Sequence, residues 1–146
     1  IADHHGIQNR VSVCSFDENL SRIAYAASDF ILMPSLFEPC GLPQMIGPIY
    51  GSLPVAHDTG GLHDTIRHLD AAANTGNGFL FKTFDSNGLF WAIEEAMNFY
   101  TLPAPSRARQ IKRIMSESAE TFTYARSARQ YIELYEKMLQ RPLVVE

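Results

Sequence analysis

The sequence predicts an α/β fold built on a doubly wound parallel sheet. Short apolar runs alternate with segments in which apolar residues recur at helical spacing, and this alternation is typical of βαβ units. The runs are nearly continuous rather than alternating with polar residues, as expected of strands that are covered on both faces. These patterns place residues 1–146 in a single domain that ends in two or three helices.

Four apolar runs are predicted as strands. The first is β-branched and follows Asn9, and the second is stopped by Pro34. The other two are bounded by glycine or polar residues, which mark the turns between elements. The predicted strands are Val11–Ser15, Phe30–Met33, Leu53–His57 and Gly78–Lys82.

Six helices are predicted from apolar residues that recur every three or four positions. Asp17 is expected to cap the first helix. Pro48 is expected to bend or shorten the second, because proline lacks an amide proton. A polar surface loop is predicted over residues 70–77. The predicted helices are Glu18–Ala27, Leu42–Tyr50, Leu62–Leu69, Asp85–Tyr100, Pro105–Ser118 and Tyr124–Gln140.

Composition and charge favour a small-molecule partner. The 146 residues are 46% apolar, with a formal charge of −4 and a pI near 5.7, which argues against nucleic acid or an anionic membrane as a partner. No apolar run is long enough to span a bilayer. Two cysteines without CxxC spacing indicate a reducing compartment, the cytoplasm or a plastid stroma. Because Ile1–His5 reads as the tail of a helix, we expect the chain to be part of a longer protein.

Three loops leave the carboxyl ends of predicted strands. Phe16-Asp17 follows the first strand, residues 34–41 follow the second, and residues 58–61 follow the third. In open parallel sheets, ligands bind beyond these strand ends. We therefore expect Phe16, Glu38 and Thr59 to open on one edge of the sheet.

The second of these loops runs through Glu38-Pro39-Cys40-Gly41 into a predicted helix. The free amides of a helix N-terminus attract anions such as a diphosphate, and glycine lets a ligand approach the backbone. Glu38 lies just upstream, where its carboxylate either binds sugar hydroxyls or balances developing positive charge. The alternative is that Glu38 caps the helix or braces the loop.

The third loop, Thr59-Gly60-Gly61, offers a hydroxyl and two unhindered amides at another helix start. By itself this is a weak motif, but two such loops on adjacent strands are better evidence for a site than either loop alone. Phe16, at the end of the first strand, either stacks on a nucleobase or belongs to the core.

Other chemistries that single motifs suggest do not fit the chain. Asp58-Thr59-Gly60 spells the aspartic-protease triplet, which needs an all-β fold and a second, paired aspartate. His57, His63 and His68 lack metal-ligand spacing, so no metal site is predicted. No histidine is visibly paired with Cys40, whose expected roles are backbone contact and packing.

At these loops the sequence resembles the bacterial glycogen synthases and starch synthases, retaining glycosyltransferases of the GT-B fold that use ADP-glucose. The matching runs are Ala27–Ser35, Glu38–Leu42, Tyr50–Val55 and Thr59–Leu62, in that order and spacing. The resemblance continues to the helix at Tyr131–Leu139. It implies that the chain is a partial, Rossmann-like C-terminal domain that binds a nucleotide sugar.

The resemblance also implies a role for each site residue. Glu38 would contact the donor glucose, and the backbone of Cys40, Gly41 and Leu42 would line the sugar and the distal phosphate. Thr59, Gly60 and Gly61 would border the diphosphate and the sugar, and Phe16 would stack on the adenine. The family needs no metal and no cofactor, and its acceptor is an α-1,4-glucan.

The chain departs from the family pattern in two places and lacks one feature. Pro43 replaces a frequent threonine and removes one phosphate donor, and His57-Asp58 replaces a frequent basic pair. The three loops carry no Lys or Arg, although a departing diphosphate needs positive charge. In the family an Arg and a Lys from an earlier loop supply it, so the fragment alone is predicted to be inactive. Two alternatives remain open: a GT-B transferase that uses UDP-glucose, and a non-catalytic sugar-binding or interaction module.

Overall fold

A computed structural model of the chain describes residues 4–143. Its centre is a sheet of three parallel strands, β1 (Phe30–Met33), β2 (Leu53–His57) and β3 (Phe79–Phe81), which lie side by side in sequence order. Met33 is paired with Ala56, and His57 with Phe81. The parallel α/β architecture predicted from the sequence is confirmed.

The described part of the chain contains six α-helices. Asp17 caps the first, accepting a hydrogen bond from the Leu20 amide at 2.7 Å, as predicted. Pro48 lies in the last turn of the second helix, which ends where Gly51 takes a positive φ of 92°. The helices are α1 (Glu18–Ala27), α2 (Pro43–Tyr50), α3 (Gly60–Thr65), α4 (Ser86–Tyr100), α5 (Ala104–Thr121) and α6 (Tyr124–Leu139).

Alternate residues of each strand face opposite sides of the sheet and belong to different core clusters. Leu53 and Val55 of β2 face a cluster with α4 and α5, whereas Ala56 faces a cluster with Leu62 and Ile66 around α3. This division follows from the two-residue period of a strand. Helices therefore cover both faces, as the continuous apolar runs predicted, and the loops at the strand ends are left to form a site.

The predicted strand at Val11–Ser15 is wrong. Residues 11–17 have no regular structure and are exposed, with Val13 93% accessible. β-branched residues favour a strand only where a neighbour pairs with it and packs on it. Within residues 4–143 no strand pairs with this segment, and β2 is the only strand that pairs with β1.

The third helix begins earlier and ends earlier than the predicted Leu62–Leu69. Ile66 is extended and buried, and Leu69 donates to the Gly78 carbonyl at 2.7 Å. The Asn77 side chain also accepts from the Arg67 amide at 2.7 Å. These contacts draw the chain after Thr65 toward β3, so the helical pattern there is overridden by tertiary pairing.

One further prediction concerns the start of the chain. Of the predicted helix tail at Ile1–His5, residues 1–3 lie outside the described residues, and His4 and His5 form part of a turn. A 3-10 helix follows at Gln8–Arg10. No helix within residues 4–143 is long and apolar enough to cross a membrane.

Candidate functional site

The loops after β1 and β2 lie directly against each other. The Gly61 amide donates a hydrogen bond to the Glu38 carbonyl oxygen at 2.8 Å. This bond joins the segment that leads into α2 to the first turn of α3. Because both strands are parallel and paired, the two loops share the carboxyl edge of the sheet.

Two glycines make this close approach possible. A Cβ atom on Gly60 would overlap the Glu38 carbonyl oxygen, and one on Gly61 would overlap the Cys40 carbonyl oxygen. Gly60 also has a positive φ of 47°, a conformation that side chains disfavour. The Thr59-Gly60-Gly61 loop therefore serves as a close-packing device, and the amide of Gly61 is already used within the protein.

The start of α2 presents unpaired amides at the same edge. Gly41 has a φ of 73°, and Leu42 follows in the right-handed helical region. The Gly41 and Leu42 amides have no hydrogen-bond partner among the described residues. Successive amides with alternating backbone hand form a concave anion site, and Pro43 removes the donor that would come next.

Glu38 is half-buried, and its carboxylate makes no hydrogen bond or ion pair with residues 4–143. A bracing or capping role would require such a bond, and only its backbone carbonyl makes one. The Thr59 side chain likewise has no capping bond to α3. Both side chains are therefore available to an incoming ligand.

The histidine and aspartate at the end of β2 have structural contacts. His57 is buried, its Nδ1 lies 2.9 Å from the Ser35 carbonyl oxygen, and its ring packs against Phe81 and Phe84. An imidazole nitrogen facing a carbonyl must carry the proton, so His57 ties the loop after β1 to β2. Asp58 pairs instead with His63 at 2.6 Å.

Phe16 is placed differently from the other predicted residues. Its ring is 87% exposed, so it does not belong to the core. The strand that was expected to carry it to the sheet edge is absent from the described residues. Its stacking on a nucleobase stays a prediction.

Cations are sparse at this edge. The loops after β1 and β2 contain neither Lys nor Arg. Lys82, which the sequence reasoning passed over, directly follows β3, on the far side of β2 from the Glu38 loop. Among residues 4–143, no group of three or more His, Cys, Asp and Glu side chains could hold a metal ion.

Gln44 is a second residue that the sequence reasoning missed. A glutamine in the first turn of a helix normally faces solvent, but this one is fully buried beneath the Cys40–Gly41 turn. The only sequence signal is a polar residue among the apolar positions that follow the Gly41 turn in α2, and that signal is weak.

Comparison with known proteins identifies the fold. No family model matches the chain. The catalytic domain of starch synthase IV from Arabidopsis thaliana, bound to ADP and acarbose, superposes with a TM-score of 0.78 at 38% identity, over 95% of this chain and 30% of that one. The fold is therefore the Rossmann-like, C-terminal type of the GT-B glycosyltransferases.

Sequence relatives narrow this class. The chain is 42% identical over 133 residues to a probable starch synthase 4 of A. thaliana, chloroplastic or amyloplastic. It is 40% identical over 142 residues to a glycogen synthase of Natranaerobius thermophilus. The chain is a homologue of the glycogen and starch synthases. It spans 12% of the first relative and 27% of the second.

Proposed function

We propose that this chain is the donor-binding part of a glycogen or starch synthase, a hexosyltransferase. The enzyme transfers glucose from ADP-glucose to the non-reducing end of an α-1,4-glucan with retention of configuration. The observation that carries the proposal is the carboxyl edge of the sheet, where the Gly61–Glu38 hydrogen bond joins the loops after β1 and β2. The Glu38 carboxylate, in the first of these loops, has no partner among the described residues. The 40% identity to a glycogen synthase supports the choice of reaction.

Each part of the edge has a chemical task in this proposal. The free Gly41 and Leu42 amides at the start of α2 bind the distal phosphate, since a helix N-terminus favours an anion. Glu38 contacts the donor glucose and offsets the positive charge that develops at the sugar. Thr59 and Gly60 border the diphosphate, Gly61 and Cys40 hold the two loops together, and Phe16 stacks on the adenine.

The donor and acceptor are inferred partly from the starch synthase IV structure, which contains ADP and acarbose. We place the enzyme in the cytoplasm, or in the plastid stroma if the source is a plant or alga; one relative is named chloroplastic or amyloplastic.

Replacing Glu38 tests the catalytic role. In the full-length protein that contains this chain, Glu38→Ala should lower kcat for glucan elongation by roughly 100-fold or more, because a preorganised charge at the reacting sugar is lost. The assay follows transfer of labelled glucose from ADP-glucose to a glycogen primer. Glu94→Ala, on the exposed side of α4, is the matched control.

Elongation at the wild-type rate by Glu38→Ala would refute the role of Glu38.

Calorimetry with ADP-glucose and UDP-glucose separates the proposed enzyme from a UDP-glucose-dependent transferase. A wild-type protein that binds a sugar nucleotide but elongates no glucan would instead be a non-catalytic module.

A further inference from the structure

Gln44 is buried at 0% exposure under the loop that carries the predicted site residues. It lies in the first turn of α2, three positions after Gly41. Its side chain faces inward, where it contacts the Cys40–Gly41 turn from one side and α3 from the other. No part of it reaches the surface, so it has no direct role toward a ligand.

The side-chain amide nitrogen of Gln44 carries two protons and lies near three acceptors, so one proton is shared between two of them. It lies 2.7 Å from the Cys40 carbonyl oxygen, 3.2 Å from the Gly41 carbonyl oxygen and 3.3 Å from the Thr65 hydroxyl. Thr65 donates its own proton to the Gly61 carbonyl at 2.5 Å, so its oxygen accepts from Gln44. These partners fix which end of the side chain carries the nitrogen.

The orientation of the two carbonyls determines the direction of the two free amides. In a trans peptide the C=O and N–H groups point in opposite directions, and the described residues contain no cis peptide. Because Gln44 holds the Cys40 and Gly41 carbonyls inward, the Gly41 and Leu42 amides point away from the core. Both of these amides lack a partner among the described residues.

The same side chain links the two loops of the site. Gln44 reaches Thr65 at the end of α3, and Thr65 is bonded to Gly61 in the loop after β2. Gly61 in turn donates to the Glu38 carbonyl. These hydrogen bonds thus connect α2 to α3, and α3 to the loop that carries Glu38.

The oxygen of the Gln44 side-chain amide shows that this arrangement lowers the stability of the fold. Gln44 Oε1 is buried and has no hydrogen-bond partner within residues 4–143. A buried acceptor without a partner is destabilising, and an apolar side chain of similar volume would avoid that cost. Packing alone therefore does not account for a glutamine here, whereas the three bonds of its nitrogen do.

We propose that Gln44 is a positioning residue for the donor diphosphate. By holding the Cys40 and Gly41 carbonyls inward, it aims the Gly41 and Leu42 amides at a phosphate oxygen, and through Thr65 it fixes the distance between the two loops. This proposal rests on the proposed function, because the proposed function assigns a phosphate as the ligand of the Gly41 and Leu42 amides.

The test compares two buried glutamines in the full-length protein. Gln44→Met removes the nitrogen donor and keeps an unbranched side chain of similar size. Gln110→Met is the matched control: Gln110 is 1% exposed, and its nitrogen similarly holds a loop, through the Ala71 carbonyl and the Asn74 side chain. KM and kcat are measured for ADP-glucose and for the glucan, with the Kd of ADP by calorimetry and Tm for each variant.

Gln44→Met should weaken ADP binding and raise KM for ADP-glucose by roughly 10- to 100-fold, the effect of misaligning one or two hydrogen bonds to a charged group. KM for the glucan should stay within about twofold. Gln110→Met also removes the acceptor of the Arg113 Nε proton, so it should lower Tm at least as much as Gln44→Met. It should leave both KM values, kcat and the Kd of ADP within about twofold of the wild type.

Three results would overturn the proposal. If Gln44→Met binds ADP like the wild type, the amides do not depend on Gln44. If both methionine variants lose ADP affinity equally, the effect is general destabilisation. If wild-type protein binds no ADP at all, the proposed function fails together with this inference, and the wild-type measurement alone identifies that case.

Discussion

At the scale of single residues, the site depends on how closely two loops approach. Gly60 and Gly61 lie against the carbonyls of Glu38 and Cys40, with no space for a side chain. The Gly61–Glu38 hydrogen bond is possible only at this separation. The glycines thus act through the absence of a Cβ atom, and the Gly61 amide is bonded to Glu38, whereas the Gly41 and Leu42 amides on the other loop have no partner among the described residues.

A substitution at Gly60 should therefore destabilise the protein through two effects. Gly60→Ala adds the strain of a positive φ and an overlap with the Glu38 carbonyl, together about 2–5 kcal/mol in the free energy of unfolding. Gly6→Ala is the control, because Gly6 also has a positive φ, 64°, with nothing within 4 Å of an added Cβ.

Gly6 lies in the exposed segment before α1, where local opening relieves the strain, so Gly6→Ala should change the global free energy of unfolding by less than about 1 kcal/mol. Urea denaturation of both variants gives the comparison. Equal losses at the two positions would mean that the loops separate easily, and that their close packing is not needed for stability.

At the scale of elements, the helices differ in how firmly they are held. α4 buries Ala92, Ala96 and Phe99 against the sheet, whereas α1 buries no residue. Both begin with an aspartate cap of the same geometry, with the carboxylate 2.7 Å from an amide in the first turn. The same local interaction therefore belongs to one helix that is part of the core and one that lies at the surface.

The two caps should accordingly have different effects when removed. Asp85→Ala should lower the global free energy of unfolding by about 1 kcal/mol, the usual value of an N-cap. Asp17→Ala should mainly speed amide hydrogen exchange within α1 and change global stability by less than about 0.5 kcal/mol, because α1 opens locally.

Thermal unfolding and hydrogen exchange measured on both variants check this difference. A global loss from Asp17→Ala as large as that from Asp85→Ala would show that α1 unfolds together with the core.

At the scale of the whole molecule, the site provides amides and a carboxylate but little positive charge. The diphosphate of a nucleotide sugar already carries two negative charges and gains a further one as the bond to the sugar breaks, so cations close to it stabilise the transition state. The loops after β1 and β2 contain none, and Lys82 lies beyond β2 at the end of β3. The chain also spans 27% of a glycogen synthase relative, so under the proposed function the cations would come from the remaining part of such an enzyme.

The 146-residue polypeptide alone should therefore transfer no glucose. Labelled ADP-glucose and a glycogen primer should give no elongation above background, under conditions in which the full-length protein is active. Circular dichroism on the same sample shows that the polypeptide is folded. Measurable elongation by the folded polypeptide would show that the missing charge is not required, or that Lys82 supplies it.

The sequence predicted most of the fold because its signals are local. β1 and β2 were predicted at their observed bounds, since a continuous apolar run with a proline or polar stop needs no tertiary information. The N-cap of α1 was also predicted, since a cap needs only an aspartate before a helical pattern. Parallel topology then placed the Glu38 and Thr59 loops on one edge.

Tertiary structure decided what depends on partners distant in sequence. Val11–Ser15 has the composition of a strand, but a strand exists only when another pairs with it, and none does within residues 4–143. Thr65 ends α3 because the following residues pair with the segment before β3. The position of Gln44 beneath two carbonyls and beside Thr65 is set by the packing of α2 on α3, which no local pattern records. The sequence by itself placed the loops after β1 and β2 on one edge of the sheet. Packing determined that the Phe16 loop does not follow a strand, that the Gly61 amide is bonded to Glu38, and that the Gly41 and Leu42 amides point outward.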